Sequence, residues 1–254
     1  MASEELKAAL AAARAASEVI DTYYRSNPGV RLKSDASPVT EADVLAEEAI
    51  HATLRERFPS YGFHGEETGQ HDACAESVWL VDPIDGTKAF VREIPFFSTQ
   101  IALMRAGRLV LGVSSAPAFG ELAWAEAGAG AFLNDRRVHV SAVSSLAAAA
   151  ISAGNLGSLA RSSAWGRYGA LVAGAAYSRG YGDFVHYHLL ARGALDVVIE
   201  SNVNILDIAA LTVIVREAGG RFTDLAGGEV GLATSSVLAS NGALHTAALA
   251  ALAD

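Results

Sequence analysis

Two aspartates three residues apart, Asp82 and Asp85, bracket Pro83 and Ile84 and lead into Gly86 and Thr87. Pro83 has no N–H and biases Asp82 away from the helical region, so the chain leaves a strand end on a fixed, tight path. Two carboxylates there, with the Ile84 carbonyl, are hard oxygen ligands suited to Mg²⁺ or a similar ion. Gly86 lets a phosphate approach the backbone, and the helix-start N–H groups that follow attract anions. Metal-assisted phosphoryl chemistry is what such a set could do. Asp-Pro-x-Asp-Gly is also ordinary turn chemistry, with Asp as a cap and Gly as a break.

Other acids bear on the choice, and each has a plain structural reading beside the chemical one. Asp43 follows Thr40 by three residues, as in an N-terminal capping arrangement. Glu66 and Glu67 follow Gly65 in what reads as a solvated loop. Asp207 and Asp183 each stand just ahead of a helical stretch, the usual place of an N-cap. Glu200 closes a strand, where an acid commonly faces solvent, and Lys33 sits in an irregular, charged segment. His186 and His188, two apart on one helix, point to different sides and make a poor metal pair. No Gly-x-Ser-x-Gly elbow, Walker loop or Rossmann fingerprint is present.

The elements that must position these residues follow from periodicity and punctuation. Ser3 caps a helix running to about Ser26, where Asn27-Pro28-Gly29 ends it, and Thr40–Phe58 reads as a second helix. Strands are expected at 61–64, 78–81, 98–104, 109–115 and 121–126, with a hairpin around Gly107. Residues 141–150 are the best boundary between halves, giving 1–145 with most of the acids and 146–254 with Asp207. The second half alternates: strand 149–153, helix 159–172, strand 175–179, helix 182–190, strand 195–200, helix 208–218, strand 237–240 and a last helix from about 243. That alternation behind a strand-rich half predicts α/β layers.

At 254 residues the chain can bury a sizeable core, and 51% apolar with 19% charged residues is a globular composition. A formal charge of −9 argues against nucleic acid or an anionic membrane as partner. Cys74 is the sole cysteine, which excludes an intrachain disulfide and a cysteine-based zinc site. No signal-peptide core or bilayer-spanning run is present, so a soluble, cytoplasmic protein is expected.

In their order along the chain, Gly65-Glu66-Glu67, Trp79-Leu-Val-Asp82-Pro-Ile-Asp85-Gly-Thr87, and Ile205-Leu-Asp207-Ile-Ala-Ala with Glu217-Ala-Gly-Gly220 resemble the inositol monophosphatase family of Mg²⁺-dependent, lithium-sensitive phosphatases. The resemblance runs over almost the whole chain and favours the site over the turn. It implies a five-layer αβαβα sandwich, of the type shared with fructose-1,6-bisphosphatase, and a homodimer. It also implies two or three Mg²⁺ held by Glu66, Asp82, Asp85, Asp207 and the Ile84 carbonyl. Gly86 and Thr87 would meet the phosphate through their amides, Asp43 and the Thr87 hydroxyl would orient the attacking water, and Lys33 would lie on a mobile loop near the third metal.

Substrate is decided elsewhere. Arg179-Gly-Tyr-Gly-Asp183-Phe-Val-His-Tyr-His resembles the Gly-Asp-x-x-x-Tyr segment of the histidinol-phosphate phosphatase branch, and Glu200 matches a family position that contacts the substrate's polar head. A carboxylate at 183 suits a substrate bearing an ammonium and an imidazole, so histidinol phosphate is the first expectation and myo-inositol 1-phosphate the alternative. Fructose 1,6-bisphosphate, sulfated nucleotides and a catalytically weak regulatory role remain open, as does a two-carboxylate glycosidase. One departure stands out: many relatives carry an aromatic residue just before the last aspartate, where this chain has Leu206.

Overall fold

The computed structural model describes residues 2–26, 30–32, 38–72 and 75–253; Lys33 and Cys74 lie outside them. Helix α1 (Glu4–Tyr23) starts where the Leu6 N–H donates to Ser3 Oγ at 3.0 Å, and α2 (Glu41–Arg57) follows a short ribbon of β1 (Val30–Leu32) and β2 (Pro38–Thr40). The alanines of α1 are structural rather than filler: Ala8, Ala9, Ala12, Ala13 and Ala16 are fully buried, and their small size lets the helix lie close to its neighbours.

The larger sheet is built from β3 (Gly62–Gly65), β4 (Gly69–His71), β5 (Ser77–Asp85), β6 (Ser98–Arg105), β7 (Arg108–Ala116), β8 (Glu121–Glu126), β9 (Gly130–Leu133) and β10 (Arg136–Val138). Its spatial order is β10-β9-β8-β7-β6-β5-β3-β4, antiparallel throughout except for the parallel pair β3–β5. A smaller sheet, ordered β12-β11-β13-β15-β14, joins β11 (Ala150–Ala153), β12 (Tyr177–Arg179), β13 (Val197–Ser201), β14 (Arg221–Thr223) and β15 (Ser236–Ser240).

Burial fixes the layers. One face of β5 gives Trp79 and Val81 to a core with Leu6, Ile20, Ile50 and Leu54 of α1 and α2. Its other face gives Leu80 to α6 (Asp183–Ala191) and α7 (Ile205–Glu217), whose Phe184, Ile208 and Leu211 also meet Val198, Phe222 and Val237 of the second sheet. The outer face of that sheet is covered by α4 (Leu156–Ala160), α5 (Trp165–Gly174) and α8 (His245–Leu252), with Leu159, Leu171 and Leu252 on Val197 and Leu238. The short α3 (Thr87–Phe90) caps the end of β5. Helix, sheet, helix, sheet, helix is the five-layer sandwich expected from the resemblance.

Three expectations need correction. The helix expected at 159–172 is two helices, α4 and α5, interrupted where the Ser162 hydroxyl turns back to the Leu159 carbonyl at 2.7 Å. The helix expected to begin at 208 begins at Ile205, because Asn204 is its N-cap and Asp207 its third residue. The first helix ends at Tyr23 rather than near Ser26. Short strands β1, β2, β4, β9, β10 and β14 were not anticipated. Among the described residues no helix is long and apolar enough to cross a membrane.

Candidate active site

The parallel pairing of β3 with β5 puts their C-terminal ends side by side. Gly65 is in register with Val81 and the Glu66 N–H donates to the Val81 carbonyl at 3.2 Å, so Glu66 emerges beside Asp82. Beyond Asp82 the pairing with β6 slips: Asp82 faces Gln100, Asp85 faces Ser98, and Pro83–Ile84 bulge from the ladder. The bulge is held by the Thr99 hydroxyl on the Pro83 carbonyl (2.8 Å) and by the Ile84 N–H on Asp82 Oδ1 (3.0 Å). Gly86 then takes φ 92°, a left-handed conformation that a side chain resists, and starts α3; a Cβ there would lie 2.5 Å from the Phe96 carbonyl oxygen.

Asp43 arrives from α2 with one oxygen turned to the helix start and the other to Thr87. Its Oδ2 accepts from the Thr40 N–H (2.7 Å) and hydroxyl (2.6 Å), closing the helix start, while Oδ1 faces the Thr87 hydroxyl at 3.1 Å. The Thr87 hydroxyl is also 3.0 Å from the Ile84 carbonyl, and its single proton serves one acceptor at a time.

Asp207 comes from the middle layer. Its Oδ2 accepts from the Asn204 N–H at 3.0 Å, so it belongs to a capping box rather than standing as the cap itself. Ten residues of α7 are buried, and each large apolar one contributes roughly 1.5–3 kcal/mol. Packing therefore sets where α7 lies, and the helix can present an acid that costs stability.

Together these elements bring one carboxylate oxygen from each of Asp82, Asp85 and Asp207 within 4.8 Å of one another. Burial pushes the Asp82 carboxyl far above the ordinary range, and the charges of Glu66, Asp85 and Asp207 push it further. Asp85 is driven up the same way, by burial and then by Asp183, Asp207, Glu200 and Glu66. Asp207 is raised to about 7, chiefly by burial, against the pull of its Asn204 hydrogen bond. Asp43 is raised by burial, opposed by its Thr40 and Thr87 hydrogen bonds. Mutually repelling carboxylates of this kind fit a cation, whose charge relieves the repulsion and whose preference is for hard oxygen donors.

The raised acids make stability depend on pH in a definite direction. Asp207 holds its proton in the fold up to about 7, whereas the unfolded chain loses it near 3.8. Between those values the native state binds more protons, so its stabilising effect is lost as pH rises through the window. Without metal the melting temperature should fall from pH 5 to pH 8. Because binding must displace those protons, millimolar Mg²⁺ should raise it more at pH 8 than at pH 5. Calorimetry at the two pH values checks this; an equal shift at both would count against shared protons in the cluster.

Asp183 opens α6 with φ 46°, an unusual conformation for a residue with a side chain. The expected capping role is not seen: Gly182 is the cap and Asp183 the first helical residue. With Glu200, Tyr187, Asn155 and Val203, Asp183 lines a small cleft that also touches Asp85 and Asp207. Its pKa is raised to about 6 by burial and by Glu200, with His186 and Lys88 pulling the other way. Glu200 is buried rather than solvent-facing, as is His186. The two helix histidines do point apart: His186 faces Glu200 and His188 faces Glu121 and Ser114.

One contributor went unremarked in the sequence. Glu47, buried on α2, accepts from the Glu67 N–H (2.9 Å), the Thr68 N–H (2.7 Å) and the Thr68 hydroxyl (2.6 Å), and so shapes the turn that carries Glu66. Gly65 is required beneath it, since a Cβ there would lie 2.4 Å from Glu47 Oε1. The signal available was an acid four residues after Asp43, one helical turn along the same face.

Residues 1–254 match the profile of the Inositol monophosphatase family. The chain belongs to the inositol monophosphatase family. A histidinol-phosphatase of Mycobacterium tuberculosis is 39% identical, covering 99% of each chain. An inositol-1-monophosphatase of Mesorhizobium japonicum is 35% identical over 97% of this chain and 94% of its own. Among solved structures, an extragenic suppressor protein from Bartonella henselae superposes with a TM-score of 0.90 at 34% identity, covering 98% of each chain. As a member of the inositol monophosphatase family the protein is a phosphatase that hydrolyses phosphate monoesters, in a family that depends on metal.

Proposed function

We propose that this phosphatase hydrolyses histidinol phosphate with Mg²⁺ as its metal. The observation that carries the substrate is the pair of acids, Asp183 and Glu200, in the cleft that adjoins the acidic cluster. Two carboxylates in one cleft, Asp183 being raised to about 6 by burial and then by Glu200, suit an ammonium group between them better than a ring of neutral hydroxyls. The histidinol-phosphatase relatives support the same choice. The inositol-1-monophosphatase relatives keep myo-inositol 1-phosphate as the second reading.

In this reading Glu66, Asp82, Asp85, Asp207 and the Ile84 carbonyl hold two or three ions. When bound, the metal supplies charge neutralisation at the phosphate and acidifies water. The chain's own residues do the rest. The Gly86 and Thr87 amides, at the start of α3, hold the phosphate oxygens. Thr87 Oγ, donating to Asp43 Oδ1, can accept from a water and orient it in line with the leaving oxygen. Asp43, whose raised pKa makes it a better base than an ordinary aspartate, takes the proton. Lys33 retains the loop role that the resemblance implies. The homodimer carries over from that resemblance alone, and the cytoplasmic location from the sequence expectation.

A phosphate-release panel tests the substrate. Histidinol phosphate should exceed myo-inositol 1-phosphate and fructose 1,6-bisphosphate in kcat/KM. Asp183→Asn should cost the first about 1–3 kcal/mol of transition-state binding and spare the uncharged polyol. Equal losses on both would make Asp183 a structural residue.

A further inference from the structure

His186, which has no part in the metal cluster, is wired to both acids of the substrate cleft. It is fully buried on α6, and neither ring nitrogen is idle. Nε2 lies 3.1 Å from Glu200 Oε2, and Nδ1 lies 3.3 Å from Ser152 Oγ. The Ser152 hydroxyl accepts the Tyr181 N–H at 3.2 Å, which leaves its own proton to give. A carboxylate only accepts, so Nε2 carries a proton and donates to Glu200, while Nδ1 pairs with the Ser152 hydroxyl. One imidazole thus ties β11, β13 and the segment that delivers Asp183.

Glu200 is 4% exposed and is held from a second side, by the Tyr187 hydroxyl at 2.7 Å on the same Oε2. Both donors fall on one oxygen. The other, Oε1, is the atom that a Cβ on Gly154 would meet at 2.0 Å, so it lies over a bare glycine with no side chain to pair it. Glu200, which lines the cleft, is thereby clamped through one oxygen while the other carries no such tie. On the other side, the Tyr181 N–H fixes the strand-to-helix passage two residues before Asp183, where the backbone is held at φ 46°. Such a conformation persists only where its surroundings over-determine it, and the Ser152 contact is part of that restraint.

We propose that His186, with Ser152, is a positioning pair for substrate charge: it orients Glu200 directly and Asp183 through the Tyr181 segment, so that the two carboxylates meet an ammonium together. The inference rests on the cationic-substrate reading given above. Its chemistry is that of an orienting shell, in which groups that never touch the ligand decide how well those that do are aimed. Truncating either end should therefore degrade recognition of the cation and leave the phosphate chemistry of β5 and α2 alone.

The test compares Ser152→Ala and His186→Gln with the wild type on histidinol phosphate and on myo-inositol 1-phosphate at saturating Mg²⁺. Ser152→Ala removes one oxygen and keeps the fold's volume, which covers the case in which the histidine variant does not fold. It should raise KM for histidinol phosphate by roughly tenfold, with kcat held within about threefold. The KM for the polyol phosphate should rise much less, and the Mg²⁺-induced rise in melting temperature should stay at its wild-type value. His186→Gln, able to donate to one partner and accept from the other, should fall between wild type and Ser152→Ala. Parallel losses on both substrates, or unchanged KM on both in Ser152→Ala, would overturn the positioning role. A wild type that does not itself prefer the cationic substrate would overturn the substrate reading instead, and the two failures are told apart by that single control.

Discussion

Asp85→Asn should reduce phosphate release by about a thousandfold or more at saturating substrate and Mg²⁺, comparable to the loss of a central transition-state contact. The change is nearly isosteric: the amide keeps the carbonyl oxygen and removes the charge. Asp85 sits among Asp183, Asp207, Glu200 and Glu66, all of which oppose its ionisation. Removing its charge therefore relieves the metal-free protein, whose melting temperature at pH 8 should rise by a few degrees. The Mg²⁺-induced rise should meanwhile shrink towards nothing, because one of three converging oxygens no longer carries charge. Two opposite signs from one substitution are hard to produce by misfolding. Phosphate release that survived the change in the presence of Mg²⁺ would sink the assignment of Asp85 as a metal ligand.

The second large effect is expected at the pair Asp43 and Thr87. Asp43→Asn and Thr87→Ala should each lower kcat by roughly 10²–10⁴-fold, the usual worth of a positioned base, with KM changing little. The Mg²⁺ shift should persist in both, since neither residue belongs to the converging triad. The two residues share one hydrogen bond of 3.1 Å, so the double variant should be no slower than the slower single one. Fully multiplicative losses would show two independent roles. Asp43→Asn carries a further cost that Thr87→Ala does not: it weakens the start of α2, where Oδ2 takes both Thr40 donors, by about 1 kcal/mol. A modest drop in melting temperature is expected for Asp43→Asn alone.

Much of this site is legible in the residues because Asp82 to Thr87 are local: strand end, proline, glycine and helix start follow one another, and the chain has few ways to arrange them. Periodicity located the hairpin of β6 and β7, and Thr40 with Asp43 announced α2. The start of α7 was displaced by three residues for a physical reason. A helix buried on every side has no polar face, so Ile205 and Leu206 carry no phase; the readable signal was Asn204 followed three residues later by Asp207. Strands such as β4 and β14, three residues each, are too short for alternation to register. Glu47 and His186 were illegible in a deeper sense. Their partners, 20 and 14 residues away, are supplied only by the fold, and an acid or a histidine on a helix has no sequence mark that says which backbone turn or carboxylate it will meet.

The layering has a consequence for how such a protein can change over generations. The groups assigned to the phosphate end in the proposed function, Asp43, Glu66, Asp82, Asp85 and Thr87, fall within residues 43–87 on α2, the turn after β3, β5 and α3. The groups that line the far end of the cleft, Asp183, Tyr187 and Glu200, fall within 183–200 on α6 and β13, against a different sheet. Asp207 alone belongs to the acidic cluster while riding on the middle layer. A lineage can therefore sample new residues along α6 and β13, and with them new preferences for what is esterified, while the bond-breaking end stays under separate constraint. The division runs between β5 with α2 and α3 on one side and α6 with β13 on the other, with Asp207 bridging the two.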